Sequence, residues 1–374
     1  MTDVPATTPT MFGISRYDNP ETIRLRKYAT GTPLALEGAG VEPGRTPKET
    51  VWDKNKARLY RYEPGAEKRH PVPVLMVYAH ILKPYVLDLV PGNSFVEHLL
   101  AAGHDVYLLD WGIPGPEDED LSFEDYVLDY LPEAVERVLE NSSAEEYTLL
   151  GHCMGGTIAA MYASLFPEGL RNLVLLATPV DFAPEDPGLM GLWTLFSRRS
   201  EAFFDPDLLV ETFGNVPEDL LERLVGAGTS AAGPLAGWYA AWFRATLRGF
   251  MPEVSVESWL AVSRWVDDGT PFPGEAFRQW IRYFYQRNRL VKGEISLRGR
   301  RVDLSNITAP LLNIAGAKDA ICPPSQTEAT MGLVGSRDKE HLILDAGHVG
   351  LLASPAARGT FWPRIGGWLE PRSR

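Results

Sequence analysis

Short apolar runs alternate with stretches of helical spacing along much of this 374-residue chain. Buried strands are predicted by the runs PVPVLMVYA, DVYLLDW, EEYTLLG and RNLVLLATP, and the same pattern returns near the C-terminus in APLLNIAG and KEHLILDAG. Helices are predicted between them by FVEHLLAAG and by SFEDYVLDYLPEAVERVLE, which opens at the capping residue Ser122. Strands separated by helices predict an α/β fold with a mostly parallel sheet, in which ligands bind at the carboxyl ends of the strands.

The pattern changes between residues 182 and 289, where helical segments rich in Trp, Tyr and Phe replace the strands. These segments are LLVETF, EDLLERLVGAG, GWYAAWFRATLRGF, VESWLAVSRWV and EAFRQWIRYFYQRN. Aromatic residues on a helix pack in a core more commonly than they line a ligand site. Taken together, however, these helices predict a cap that covers the strand ends and excludes water from the site.

The chain therefore divides into four predicted parts. Residues 1–70 are polar and rich in Pro and Gly, with ETIRLRKYA and KETVWDKNKARLYRY as the pieces expected to be ordered, and we expect this N-terminal segment to pack on the core. Residues 71–181 form the first part of the sheet core, residues 182–289 the inserted helical cap, and residues 290–374 the second part of the core. We see no internal repeat that would indicate another architecture.

Composition and charge argue against several classes of function. The net charge of −13 and the pI near 5.1 disfavour a nucleic-acid-binding surface and an anionic-membrane patch. The N-terminal residues lack a basic region followed by an apolar run, and no segment is long and apolar enough to span a bilayer, so we expect a cytoplasmic protein. The two cysteines, Cys153 and Cys322, form no C-x-x-C pair. We therefore expect no disulfide framework, no zinc site and no metal or redox cofactor.

The candidate nucleophile is a cysteine in the segment LLGHCMGGT. Gly151-His152-Cys153-Met154-Gly155 is a G-x-C-x-G version of the G-x-S-x-G nucleophile elbow, placed between a predicted strand and a predicted helix. Glycine is expected on both sides because the backbone of the nucleophile is strained and nearby side chains would collide. The alternative interpretation is a buried cysteine in an ordinary strand-to-helix turn, so partners elsewhere in the chain must decide.

Two further residues stand where an α/β-hydrolase, whose elbow this segment resembles, carries the rest of its catalytic triad. In that fold the order along the chain is nucleophile, acid, histidine, and the acid and the histidine each follow a late strand. Asp319 follows LLNIAGAK, and His348 follows LILDAG. We therefore expect His348 to generate the thiolate of Cys153, and Asp319 to orient the imidazole and stabilise its cation. Asp345 is the rival acid, but it lies too close before His348 to face the ring.

The oxyanion hole is expected to use two backbone N–H groups. One belongs to Met154, the residue after the nucleophile, and the other to Ile81, in the loop VYAHILKPYVLDL after an early strand. His80 is a weaker candidate for the second donor, and its side chain is expected to pack in the loop. Cys322 is also expected to pack, although it stands close to Asp319 in the sequence.

Longer stretches of the chain resemble the catalytic subunit of polyhydroxyalkanoate synthases. The resemblance extends from about Ala35 to the C-terminus and rests on VYAHILKPYVLDL, DVYLLDWGIPGPEDEDLSFEDYVLDYLPEAVERVL, LLGHCMGGT, NLVLLATPVDF, RWVDDGTPFPGEAFRQWI and GHVGLL. It implies an α/β-hydrolase fold and an acyltransferase that polymerises (R)-3-hydroxyacyl groups from coenzyme A thioesters into polyester. It also implies that Cys153 is the covalent nucleophile, His348 the general base, and Asp319 the third member, which assists the 3-hydroxyl of the incoming unit.

The chain resembles the short type of synthase, which works with a second, non-catalytic subunit and favours short-chain monomers such as 3-hydroxybutyryl-CoA. The resemblance implies association with that subunit or with further copies of the chain, and a location in the cytoplasm at the surface of polyester granules. The sequence departs from many relatives in one place, because Ala320 stands directly after the acid where they carry a histidine. A mechanism that requires a second histidine at this position is therefore disfavoured.

Two other functions remain open at this point. A thioesterase or depolymerase on the same scaffold would let water, and not a hydroxyacyl group, resolve the acyl-enzyme, although hydrolases of this fold usually carry serine. A non-catalytic member of the family would bind polyester granules or a partner subunit, but it would have no need of Cys153, Asp319 and His348 together. The sequence therefore favours the synthase.

Overall fold

A computed structural model of the protein describes residues 42–65, 67–183, 204–218, 220–221, 256–266 and 268–374. The piece ETIRLRKYA, which we expect to be ordered, lies outside the described residues, and so do the predicted helix GWYAAWFRATLRGF and most of the predicted helix EDLLERLVGAG. The boundaries of the four parts of the chain, 1–70, 71–181, 182–289 and 290–374, stay predictions.

The described part of the chain is built around an eight-stranded sheet. In chain order, the strands are β1 (Lys48–Lys54), β2 (Ala57–Tyr62), β3 (Val74–Val77), β4 (Asp88–Val90), β5 (Asn93–Ser94), β6 (Val106–Asp110), β7 (Tyr147–His152), β8 (Leu170–Leu176), β9 (Ser296–Leu297), β10 (Arg300–Arg301), β11 (Leu311–Gly316) and β12 (Lys339–Leu344). The large sheet has the order β1-β2-β6-β3-β7-β8-β11-β12, and β4 pairs with β5 and β9 with β10 in two small sheets. Neighbours from β6 to β12 pair in parallel, whereas β2 is antiparallel to both β1 and β6.

Helices connect the parallel strands. In chain order, the α-helices are α1 (Phe95–Ala101), α2 (Phe123–Asp125), α3 (Leu131–Ser142), α4 (Met154–Leu165), α5 (Pro206–Phe213), α6 (Val256–Val266), α7 (Gly274–Gln279), α8 (Pro324–Glu328), α9 (Thr330–Leu333), α10 (Gly350–Ala353) and α11 (Trp362–Leu369). Wider π-helical turns occupy Tyr126–Tyr130, Trp280–Gln286 and Ala357–Phe361, and short 3₁₀ turns occupy Pro84–Leu87, Pro116–Asp118, Leu304–Asn306 and Glu370–Arg372.

The helix predicted from SFEDYVLDYLPEAVERVLE is present and begins with the expected cap. The Ser122 hydroxyl accepts a hydrogen bond from the Asp125 backbone N–H, and the Asp125 carboxylate accepts one from the Ser122 N–H at 2.9 Å. The π-helical turn Tyr126–Tyr130 interrupts the helix just before Pro132, which has no N–H to donate to the carbonyl oxygen of Leu128. The predicted helix therefore runs as α2, a widened turn and α3.

The candidate nucleophile lies where the order of the strands reverses. From β3 the chain crosses to β6 on one side, and then to β7 on the other side of β3. The loops that leave the carboxyl ends of β3 and β7 therefore diverge, which is where open α/β sheets bind ligands. Every residue of β3 and of β7 is buried, so the two strands give these loops a rigid base. Cys153 follows β7 directly.

The sequence predictions for the sheet core are confirmed. Each of the six apolar runs forms a strand of the sheet, from β3 to β12, and the fold is α/β with a mostly parallel sheet. In the segment 182–289, LLVETF, VESWLAVSRWV and EAFRQWIRYFYQRN are helical, as their spacing predicts. The piece KETVWDKNKARLYRY forms β1 and β2, the antiparallel pair at one edge of the sheet.

Candidate active site

The G-x-C-x-G segment forms a sharp turn between β7 and α4. Cys153 has φ 53° and ψ −127°, a strained conformation for a residue with a side chain. A Cβ atom on Gly151 would lie 2.4 Å from the Cα of Gly156, and one on Gly155 would lie 2.4 Å from the carbonyl oxygen of Val77. Glycine is therefore required on both sides of the nucleophile, as the elbow motif predicts. Cys153 itself is partly exposed.

The predicted acid and the predicted base are in direct contact. Asp319 lies in the loop after β11, and His348 lies in the loop after β12. The Nδ1 atom of His348 donates a hydrogen bond to Oδ2 of Asp319 at 2.7 Å. The other carboxylate oxygen, Oδ1, accepts from the backbone N–H groups of Ile321 at 2.9 Å and Cys322 at 2.8 Å. Because the Asp319 side chain is 0% exposed, these three bonds fix the carboxylate in one orientation.

His348 connects this carboxylate to the nucleophile. Burial by itself lowers the pKa of His348, but the negative charges of Asp319 and Cys153, together with hydrogen bonds to both side chains, raise it well above its usual value of 6.5. An imidazole in such surroundings holds a proton readily, which is what a base must do to keep a neighbouring thiol ionised. The structure therefore brings Cys153, His348 and Asp319 together in the arrangement that the chain order predicts.

The rival acid lies apart from this arrangement. The carboxylate of Asp345 forms an ion pair with Nζ of Lys318 at 2.7 Å, and its side chain is 77% exposed. Only two residues separate Asp345 from His348, but the side chain of Asp345 is exposed whereas that of His348 is buried. Cys322 is buried beside Asp319, and burial, with the charges of Asp319 and Cys153, raises the pKa of its thiol well above the usual value. A thiol in that state stays protonated and is a poor nucleophile.

Three residues that the sequence reasoning did not assign line the triad. The ring of His152 stacks on Tyr78, with centroids 5.1 Å apart and planes 5° apart, and meets the edge of His348 at 4.9 Å. Burial, followed by the charge of His348, lowers the pKa of His152 well below 6.5, so its ring is neutral. Burial raises the pKa of Tyr78 and of Tyr285, and the charge of Cys153 adds to both shifts. A signal was available for two of them, because His152 is a member of the elbow motif and Tyr78 directly follows β3.

The two predicted oxyanion donors lie in the first turn of α4 and in the loop after β3. Met154 is the first residue of α4, so its N–H has no acceptor within the helix and lies at the positive end of the helix dipole. The close approach of Gly155 to Val77 places this turn directly against the end of β3. Ile81 is four residues further along, and its carbonyl oxygen accepts from the Thr270 N–H at 3.0 Å. That the Ile81 N–H faces the reacting carbonyl stays a prediction.

His80 is a packed residue in the same loop. Its ring is 3% exposed and lies among four aromatic rings, those of Trp111, Phe123, Tyr126 and Phe272, at centroid distances of 4.6 to 6.0 Å. Burial lowers the pKa of His80 to about 3, so it is neutral at physiological pH. Among the described residues, neither ring nitrogen of His80 has a hydrogen-bond partner. Its side chain therefore holds the loop by packing.

The described part of the chain also bears on metal binding and on membrane insertion. No group of three or more His, Cys, Asp or Glu side chains there is arranged to bind a metal ion. No helix there combines the length and the apolar character needed to cross a membrane.

Three features define the class of this protein: the reversal of strand order, the strained cysteine elbow and the Asp–His pair after late strands. It is a protein with an α/β-hydrolase fold. The family model for the alpha/beta hydrolase fold matches residues 86–355. A second model, for the N-terminus of poly-beta-hydroxybutyrate polymerase (PhaC), matches residues 37–99. With the relatives described next, these matches show that the chain belongs to the PhaC family of poly(3-hydroxyalkanoate) polymerase subunits. The family and the fold predicted from the sequence are confirmed.

Relatives from several organisms match most of the chain. The poly(3-hydroxyalkanoate) polymerase subunit PhaC of Allochromatium vinosum is 35% identical over 93% of this chain and 95% of its own length. That of Synechocystis is 38% identical over 89% of this chain and 86% of its own length. That of Haloferax mediterranei is 37% identical over 89% of this chain, which spans only 65% of the relative. All three are named polymerases, so the family is one of acyl-transferring enzymes.

Solved structures with the same fold are more distant in sequence. A bacterial membrane phospholipase A superposes with a TM-score of 0.52 at 20% identity, over 94% of this chain and 95% of its own. MenH from S. aureus superposes with a TM-score of 0.51 at 18% identity, over 86% of this chain and 100% of its own. At such identities the likeness shows the fold alone.

Proposed function

We propose that this protein polymerises (R)-3-hydroxyacyl groups from coenzyme A thioesters into polyester, with Cys153 as the covalent nucleophile and coenzyme A as the released product. The observation that carries the proposal is the chain of contacts from Asp319 through His348 to Cys153 at the elbow. Relatives named poly(3-hydroxyalkanoate) polymerase, at 35% and 38% identity, support it. The reaction needs no cofactor besides the coenzyme A thioester that serves as the substrate.

The first step transfers an acyl group to the enzyme. Nε2 of His348 accepts the Sγ proton of Cys153, and the thiolate attacks the carbonyl carbon of the thioester. The N–H groups of Met154 and Ile81 stabilise the negative charge that develops on the carbonyl oxygen. The bond between the carbonyl carbon and the coenzyme A sulfur breaks, and the leaving sulfur takes the proton from His348. The products are free coenzyme A and an acyl group in thioester linkage to Cys153.

The second step extends the chain. The 3-hydroxyl of another (R)-3-hydroxyacyl-CoA attacks the thioester on Cys153, and His348 accepts the hydroxyl proton. An ester bond forms, and Cys153 leaves as a thiolate that regains a proton from His348. Asp319 assists through His348, because its own side chain is fully buried and both of its oxygens accept other hydrogen bonds. The lengthened chain is still a coenzyme A thioester, so it returns to Cys153 by the first step.

A cysteine suits this cycle better than a serine. Exchange of one thioester for another is nearly balanced in energy, so the acyl group stays activated on Cys153 until a hydroxyl accepts it. An ester on a serine would be lower in energy and slower to pass its acyl group on. The fold itself does not distinguish synthesis from hydrolysis, since a phospholipase shares it. The identity of the nucleophile therefore favours the synthase over a thioesterase or depolymerase.

The proposal extends to substrate, partner and location. We assign short-chain substrates, foremost (R)-3-hydroxybutyryl-CoA, because the chain resembles the short type of synthase. The relatives are named as a polymerase subunit, and the chain matches 95% of the length of the Allochromatium vinosum subunit, which supports an assembly with a second, non-catalytic subunit. The place of action is then the surface of polyester granules in the cytoplasm.

The test of the reaction class is incubation of the purified protein with (R)-3-hydroxybutyryl-CoA, with and without a candidate second subunit. Polyester formed with stoichiometric release of coenzyme A is the expected result. Free 3-hydroxybutyrate in place of polymer would identify a thioesterase. No release of coenzyme A in either condition would contradict a catalytic role and favour a granule-binding protein.

The test of the nucleophile uses labelled substrate and mass spectrometry of the peptides that carry each cysteine. We expect the acyl adduct on Cys153, no adduct in Cys153→Ala, and at most a trace in Cys153→Ser, because a hydroxyl is far harder to ionise than a thiol. Cys322→Ser is the matched control and is expected to acylate at the wild-type rate. An adduct on Cys322 in the wild-type protein would overturn the assignment.

A further inference from the structure

The loop that follows β3 is held by a segment from a distant part of the chain. We call residues 268–272, which follow α6, the strap. Residues Leu82 and Gly269 form an antiparallel bridge between the loop and the strap. Next to that bridge, the Thr270 N–H donates to the carbonyl oxygen of Ile81 at 3.0 Å, and the Thr270 hydroxyl donates to the carbonyl oxygen of His80 at 2.6 Å. One residue of the strap thus binds two consecutive carbonyl groups of the loop.

A second set of contacts holds the loop at its far end. Nζ of Lys83 donates to Oδ1 of Asp268 at 2.7 Å, and the Tyr85 hydroxyl donates to Oδ2 of the same carboxylate at 3.0 Å. The indole N–H of Trp265, at the end of α6, donates to the carbonyl oxygen of Lys83 at 2.8 Å. The Asp268 carboxylate therefore accepts hydrogen bonds from two side chains of the loop, and Trp265 donates a hydrogen bond to the backbone of the loop.

The loop is also fixed from the side of the sheet. The indole N–H of Trp111, directly after β6, donates to the carbonyl oxygen of Tyr78 at 2.8 Å. The ring of His80 is enclosed by aromatic rings, among them Phe272 of the strap at 5.1 Å. Between these anchors, the backbone of Ile81 has little freedom to move.

We infer that the strap positions the oxyanion donor of the transfer reaction, and that Thr270 and Asp268 act on catalysis through the backbone of Ile81 without touching the substrate. The inference rests on the proposed function, because it takes the Ile81 N–H as the second donor. The geometry supports it, since the two carbonyl groups that Thr270 binds belong to the peptide units on either side of the Ile81 residue. The peptide unit that joins His80 and Ile81 carries both the His80 oxygen, which the Thr270 hydroxyl binds, and the Ile81 N–H.

This peptide unit is rigid and planar, so its two polar groups move together. If the His80 oxygen loses the Thr270 hydroxyl, the unit can rotate, and the Ile81 N–H turns with it. An oxyanion donor acts on the charge that develops in the transition state, so a small rotation lowers the rate of acylation and changes substrate binding little. The hydrogen bonds of Thr270 and Asp268 described above reach His80, Ile81, Lys83 and Tyr85 and none of the triad side chains, so we expect the thiolate to form as in the wild type. The strap should therefore affect the attack of the thiolate on the thioester, and not the formation of the thiolate.

The experiment compares Thr270→Val with Thr270→Ser, and Asp268→Asn with Glu257→Gln. Valine keeps the branched shape of threonine and the backbone N–H, but removes the hydroxyl, and serine restores it. Glu257 is exposed on α6 and serves as the matched control for Asp268. Three quantities are measured on each full-length variant: single-turnover acylation of Cys153 by (R)-3-hydroxybutyryl-CoA across a range of concentrations, alkylation of Cys153 by iodoacetamide, and the thermal unfolding temperature.

We expect Thr270→Val to acylate about 10- to 100-fold more slowly than the wild type, with the half-saturating concentration changed less than about twofold. Alkylation of Cys153 should keep its wild-type rate, and Thr270→Ser should restore acylation. Asp268→Asn should slow acylation in the same way but less, and Glu257→Gln should match the wild type. Since Asp268 is partly exposed, its variant gives a reading even if Thr270→Val is poorly folded.

Four results would overturn the inference. Wild-type acylation rates in both Thr270→Val and Asp268→Asn would show that the strap has no role in acylation, and would leave the proposed function intact. Equal slowing of acylation and alkylation, or a loss that serine does not restore, would assign the strap a general structural role. A wild-type protein that forms no adduct on Cys153 would overturn both the strap and the proposed function.

Discussion

Replacement of His80 by phenylalanine should make the protein more resistant to acid. The imidazole is enclosed by aromatic rings, and among the described residues neither ring nitrogen has a hydrogen-bond partner, so a phenyl ring of similar size should pack there without loss. Burial lowers the pKa of His80 from 6.5 to about 3 in the folded protein. In the unfolded chain the ring is hydrated, and its pKa returns to about 6.5. The two states therefore differ in how many protons they bind below pH 6.5.

The sign and the size of the effect follow from this difference. Below pH 6.5 the unfolded state takes up a proton at His80 that the folded state does not, so the stability that is present above pH 6.5 is lost as the pH falls toward 3. Each pH unit in that window costs about 1.4 kcal/mol, which amounts to about 2 kcal/mol between pH 7 and pH 5. In His80→Phe this contribution is absent, because phenylalanine does not titrate.

The assay is equilibrium unfolding in urea, followed by tryptophan fluorescence at pH 7 and at pH 5 for both proteins. We expect similar free energies of unfolding at pH 7 and a loss on going to pH 5 that is smaller in His80→Phe by about 2 kcal/mol. His98→Gln is the control: its ring is only partly buried, so the corresponding change should be smaller. An equal loss between the two pH values in wild type and His80→Phe would refute the reasoning, since it would mean that His80 is protonated or hydrated in the folded state.

Three further predictions concern the site and the assembly. Asp319→Asn removes a charge that raises the pKa of His348. The rate at which iodoacetamide alkylates Cys153 at pH 7 should therefore fall, and the rate of acylation should fall by about 10²- to 10⁴-fold. A wild-type alkylation rate in that variant would contradict the proposed triad. Gly155→Ala places a Cβ 2.4 Å from the carbonyl oxygen of Val77 and should lower the free energy of unfolding in urea by about 1–3 kcal/mol. Release of coenzyme A should show a lag that lengthens on dilution and shortens when a second subunit is added; a constant rate from a species that light scattering reports as monomeric would exclude dependence on association.

Much of the site could be predicted from local sequence, because the α/β fold brings the carboxyl ends of parallel strands to one edge of the sheet. The elbow needs only a strand, two glycines and a helix, and these are contiguous between Tyr147 and Leu165. Asp319 and His348 follow two late strands, so their meeting depends only on β11 and β12 being neighbours. The pattern of strands was sufficient for this part of the site, since each residue is tied to the end of its own strand.

The surroundings of the triad depend on contacts that no spacing rule describes. Trp265 and the carbonyl group of Lys83, which it binds, are 182 residues apart in the chain. The strand β2 has a weaker sequence signal, because only alternate residues of its first half are buried. It lies near the edge of the sheet and runs antiparallel to β6. The stacking of His152 on Tyr78 joins the ends of two adjacent strands, and it follows from their register and not from either segment alone.

The two kinds of contact in the strap should differ in strength, and this decides which residue matters more for the loop. The Lys83–Asp268 ion pair is about one-third exposed on each side, so it contributes about 0.2–1 kcal/mol and weakens in salt. Thr270 is 2% exposed, and loss of its hydroxyl leaves the carbonyl oxygen of His80 without this donor in a dry environment, at a cost of about 1–3 kcal/mol. High salt should therefore reproduce the small effect of Asp268→Asn, and Thr270→Val should loosen the peptide unit that carries the Ile81 N–H more than either of them does.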